Sequence, residues 1–134
     1  MEIFEIVALS LSGLALFYAS SMRLFRPVSA QFLLTYHAKP NNDLKQDTDL
    51  VNEIRGIGAV MFLGGIAILL GTVLPELRPG SFLVAVVIYV GVVTGRLVSL
   101  VLDAPPSAKV VRATLAELLL GGLNVFCLVE TWVR

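Results

Sequence analysis

Four long apolar stretches, at residues 3–22, 53–74, 81–102 and 109–133, are separated by polar breaks. Each has about twenty residues or more, the length a helix needs to cross a bilayer. The first carries a single charge, Glu5. A secretory signal peptide competes for this stretch. Glu2 and Glu5 stand where such a peptide needs a basic start, and Ala19-Ser20-Ser21 is a poor cleavage site, so the stretch reads as a membrane helix. Pro27 ends or kinks the first span, residues 75–80 form a turn with two prolines and a glycine, and Pro105-Pro106 stops the third span. In the one long connection, Phe25, Val28, Phe32 and Tyr36 recur at helical spacing before Lys39-Pro40-Asn41-Asn42, which predicts a short interfacial helix. The expected fold is all-α. It is a single domain, an integral membrane antiparallel four-helix bundle with a short interfacial helix between helices 1 and 2.

Composition agrees with the pattern. Of the 134 residues 57% are apolar and 15% charged, against roughly 25% charged in soluble domains. The formal net charge of zero gives no electrostatic case for nucleic acid, so the expected surroundings are the lipid bilayer. Cys127 is alone, which excludes a disulfide within the chain. His37 has no second histidine or nearby cysteine, so no metal or cofactor is expected. Gly56-Ile57-Gly58 superficially matches a dinucleotide-binding loop, but no strand precedes it and Met61 occupies the third glycine position. Arg23, Arg26, Lys39, Lys45, Lys109 and Arg112 flank the first and third connections, with only Arg78 and Arg134 at the opposite end. The positive-inside rule then places both connections in the cytoplasm and both termini outside it.

The candidate chemistry lies in the third and fourth spans. Arg96, Ser99 and Asp103 sit at i, i+3 and i+7, on one helix face that Tyr89 extends by a heptad. Gly91 and Gly95 form a small-xxx-small pair, which predicts close approach of another helix. An arginine inside a membrane helix costs about 2.5–3.5 kcal/mol on insertion scales and needs a partner or a route to the interface. Arg96 lies about 10 Å inside the boundary marked by Asp103, and Glu117 about 8–12 Å inside the one marked by Lys109 and Arg112. Equal depth on consecutive antiparallel helices predicts an Arg96–Glu117 pair. Glu53 and Arg55, with Asn52, open the second span at the same end, and Asn124 lies a heptad beyond Glu117. The candidate pocket therefore comprises Asn52, Glu53, Arg55, Arg96, Ser99, Asp103, Glu117 and Asn124. No Ser/His/Asp set, His-x-x-x-His or cysteine pair is present, and carboxylates beside arginines stay ionised rather than poised for proton transfer, so an enzyme is not expected.

Asn52-x-x-Arg55-Gly56, then Gly95-Arg96-x-x-Ser99-x-x-x-Asp103, then Glu117 resembles the pattern of the small four-helix bacterial membrane proteins classed as domain of unknown function 4345. The likeness covers residues 52–122 and departs at Ala104, where the family often has glycine. It implies four helices and a bacterial inner-membrane location, and no activity. Three functions remain open. The first is a non-enzymatic binder of a lipid headgroup or small amphipathic ligand in a cytoplasm-facing polar pocket. The second is a structural or accessory subunit whose charged cluster serves only helix packing, joined to a membrane partner or to copies of itself through glycine-rich faces. The third is a small proton-linked transporter acting as an oligomer.

Overall fold

A computed structural model describes residues 2–27, 48–103 and 106–133. The interfacial helix expected after the first span, and His37 with it, lie outside these residues. Four helices account for nearly all of the rest: α1 (Glu2–Phe25), α2 (Thr48–Val73), α3 (Arg78–Leu102) and α4 (Ala108–Val133). All four are long and apolar enough to cross a membrane.

The helix limits follow from local chemistry. Glu2 and Glu5 occupy the first turn of α1 and Arg23 its last, each sign matching the helix dipole. Two residues after α1 ends comes Pro27, which is incompatible with a helix interior. Between α2 and α3 the chain turns through one 3-10 turn, Pro75–Leu77. The third helix starts at Arg78, three residues before the apolar stretch, because Pro79 falls in its first turn, where a missing N–H costs nothing. At the other end Asp103 leaves the helix in an extended conformation, its N–H still donating to the Ser99 carbonyl at 2.8 Å.

The packing is antiparallel and uneven. α1 lies along α2, α3 along α4, and α2 joins the two hairpins through α3, whereas α1 and α4 touch lightly. Small residues seven apart on α2 set the close contacts. A Cβ on Gly58 would meet the Leu24 amide at 3.0 Å, and one on Gly65 would meet the Phe17 amide at 3.0 Å. On an adjacent face, Gly64 abuts Ile88 and Gly71 abuts Ser81. Gly13 of α1 receives Leu69 in return. Lipid tails are as apolar as leucine, so such close backbone contacts, rather than apolar burial, hold the helices together. The buried core includes Leu9, Leu16, Ile68, Phe82, Ala85, Tyr89 and Cys127.

The expected close contact at Gly91 and Gly95 is absent from this bundle. Both glycines are exposed, and nothing among the described residues lies within 4 Å of a Cβ placed on either. The inward face of α3 is built instead by Ser81, Phe82, Ala85, Tyr89 and Val93. Spacing marks the two glycines as neighbours on one face, and that face turns outward.

Candidate functional site

The polar residues of α1 lie on its buried face. Glu5, Ser12 and Ser20 are buried and Arg23 is half-buried, a set that recurs at helical spacing among Leu9, Gly13 and Leu16. In lipid this inverted pattern is expected, because a polar group gains only from partners inside the bundle. Three layers of polar contact result.

At the end carrying the α2–α3 turn, Arg78 donates from Nη1 to Glu5 Oε2 at 3.3 Å and lies 3.5 Å from Glu2 Oε1. Its Nε also donates to the Gly71 carbonyl at 3.4 Å. At mid-bundle, the Tyr89 hydroxyl donates to the Ser12 carbonyl at 2.7 Å. Asn124 donates from Nδ2 to Ser12 Oγ at 2.6 Å and to the Leu120 carbonyl at 2.7 Å. Asn124 is fully buried, and its Oδ1 has no partner among the described residues.

The third layer lies toward the basic end. Arg96 Nη2 donates to Glu117 Oε1 at 2.8 Å, and Arg96 Nη1 donates to the Val110 carbonyl at 3.4 Å. About a fifth of each side chain is exposed, 21% and 19%. Arg23 approaches from α1, close enough for its charge to act on both Glu117 and Arg96. Its Nη1 points at the Met61 sulfur at 3.0 Å, a weak acceptor, and its Nε is buried with no partner among the described residues. The second carboxylate oxygen, Glu117 Oε2, is also buried and unpartnered among them.

Arg23 and Glu117 converge on a cavity of about 200 Å³ between the helices. Arg23, Tyr89 and Glu117 form its polar wall, Leu16, Met61, Ile88, Val92 and Leu120 its apolar wall, and Ala15, Ala19, Ala113 and Ala116 line it where α1 faces α4. An apolar cavity on the order of 150 Å³ already holds a benzene ring, so this one has room for a small headgroup. A second hollow, of about 190 Å³, lies in the α3–α4 groove on the far side of Arg96, among residues that include Leu97, Ser99, Leu100, Val111 and Leu115.

The pocket expected from sequence is only partly assembled. Arg96 and Glu117 pair, as depth counting requires. Asn52, Glu53 and Arg55 are exposed on the first turns of α2, and none forms an ion pair with the described residues. Ser99 and Asp103 share a face but bond one another, Ser99 Oγ donating to Asp103 Oδ2 at 2.6 Å in an exposed position. Asn124 belongs to the mid-bundle layer with Ser12 and Tyr89. By sequence Arg23 is a flanking charge, and nothing in the spacing of the third and fourth spans points to Ser12. The recurrence of Glu5, Ser12, Ser20 and Arg23 on one face of α1 was the signal that marks them. Among curated proteins and among solved structures no match is found. A family model described as a domain of unknown function, DUF4345, matches residues 5–128, and the chain therefore belongs to that family.

Proposed function

We propose that this membrane protein is a non-enzymatic binder of a small amphipathic ligand, whose anionic headgroup sits in the bundle cavity beside Arg23. The charge count supports this reading. Two guanidinium groups, Arg23 and Arg96, share one carboxylate, Glu117, and Arg96 makes the 2.8 Å bond to it. Arg23 is left with a thioether and a buried Nε that has no partner among the described residues. A buried charge without a counter-charge is costly, and a carboxylate or phosphate head would neutralise it with charge-assisted hydrogen bonds. Glu117 Oε2 accepts from a water that accompanies the head. We further propose that the cavity lies nearer the cytoplasmic face of a bacterial inner membrane, with both termini on the other side, because the cationic residues flank the first and third connections.

Native mass spectrometry of the detergent-purified chain tests the binding. The wild type is expected to retain an acidic amphiphile that Arg23→Gln loses, with the fold intact by circular dichroism. Equal retention by both proteins would remove Arg23 from the site and end the proposal. A second reading, an accessory subunit docked through α3, draws support from the outward-facing Gly91 and Gly95, which admit close approach of another helix.

A further inference from the structure

We infer that the ligand enters this cavity sideways from the hydrocarbon, through the seam between α1 and α4, and is a long-chain carboxylate. This inference rests on the binding reading above and adds a route and a tail.

Three observations carry it. The first is the packing, since α1 and α4 touch far more lightly than α1 touches α2 or α4 touches α3. The second is the exposure of the lining. Among the described residues that line the cavity only Ala15 and Ala116 are exposed, one on each side of the seam, while Arg23, Tyr89 and Glu117 are buried or half-buried. The mouth is therefore framed by methyl groups, and the polar wall lies behind it. The third is depth. Ala15 lies ten residues before the end of α1 and Ala116 eight after the start of α4, which puts the mouth roughly 12–15 Å inside the helix ends. With a hydrocarbon core about 30 Å thick, an opening at that depth faces acyl chains rather than water.

The chemistry of the occupant follows. Its head must be anionic to answer Arg23, and small enough for the space between Arg23, Tyr89 and Glu117. The rest must be a slim apolar chain that leaves between Ala15 and Ala116 into the bilayer. A molecule with two acyl chains would have to spread a seam lined by four alanines. A single-chain carboxylate passes it with the tail still in lipid.

The test uses the full chain in nanodiscs of zwitterionic phosphatidylcholine and hexadecanoic acid bearing a mid-chain diazirine. After illumination, labelled residues are mapped by mass spectrometry on the wild-type chain, so no variant need fold for this arm. Labels on α1 and α4 beside Ala15 and Ala116 are expected. Labels confined to Leu97, Leu100 and Val111 would place the tail in the α3–α4 groove and overturn the route. In a second arm, Ala15→Phe with Ala116→Phe places a ring on each side of the mouth and narrows it, and labelling is expected to fall roughly tenfold or more, the scale of one lost binding contact. Unchanged labelling in this variant, at an unchanged unfolding midpoint, also overturns the route. Arg23→Gln tests the head separately, with a roughly 10- to 100-fold loss expected for one charge-assisted bond. If Arg23→Gln abolishes labelling and butanoate competes as well as hexadecanoate, the anion site stands and lateral entry falls. If hexadecanol competes as well as hexadecanoate and Arg23→Gln changes nothing, the site itself falls.

Discussion

Removing Glu117 is expected to harm the bundle more than removing Arg96, although the two form one ion pair. Losing one partner of a fully buried pair costs about 3–5 kcal/mol. Here each side chain keeps about a fifth of its surface exposed, so solvent screening lowers the expected range to about 2–4 kcal/mol. The two deletions then diverge because of Arg23. In Arg96→Met, Glu117 still has Arg23 within electrostatic reach, and the loss is expected near the lower end, about 2 kcal/mol. In Glu117→Leu, two guanidinium charges within electrostatic reach of one another lose the carboxylate they share, and the loss is expected near about 4 kcal/mol. The double variant leaves Arg23 alone and recovers part of the loss, whereas adding Arg23→Met removes the last charge and recovers most of it. Unfolding midpoints in a mild detergent titrated with sodium dodecyl sulfate, followed by circular dichroism, measure the series. An Arg96→Met variant as damaged as Glu117→Leu, or a triple variant less stable than the double, would refute the shared-carboxylate account.

The glycines give a second contrast by the same assay. Gly65→Ala drives a methyl against the Phe17 backbone and is expected to cost about 1–3 kcal/mol, while Gly91→Ala and Gly95→Ala meet open space and leave the midpoint unchanged. Tyr89→Phe removes the hydroxyl that reaches the Ser12 carbonyl and is expected to cost about 0.5–1.5 kcal/mol, with no loss of helix content by circular dichroism. For orientation, Lys45→Cys in a Cys127→Ser background is expected to label with an impermeant maleimide only after the cells are opened, and labelling of intact cells would reverse the topology.

Apolar length and the breaking residues are enough to predict four membrane helices, because a helix in lipid must satisfy its own backbone and cannot be much shorter than the bilayer. Counting along two antiparallel helices from their shared turn also gives Arg96–Glu117, since rise per residue fixes depth whatever the rotation. Rotation is what a single sequence does not determine. Gly91 and Gly95 are correctly read as sharing a face, but only neighbouring helices decide which face turns inward, and Phe82, Ala85 and Tyr89 take that place. The same ambiguity drew Asn52, Glu53 and Arg55 toward a pocket that the start of α2 turns away from. The place of Arg23 in the cavity wall is hidden for another reason. Hydropathy stops the first span at Met22, but the helix continues to Phe25, so a charge assigned to the boundary lies inside the last turn and points into the bundle.

The layered polar contacts have a consequence for biogenesis. Glu5 waits for Arg78, and Ser12 for Tyr89 and Asn124, so these groups on the first helix are completed by helices translated later. Until the second hairpin is in the bilayer, Ser12 has neither Tyr89 nor Asn124 beside it, and Glu5 has not met Arg78. Insertion of the second hairpin supplies those partners, so closure of the bundle and completion of its polar contacts become one event.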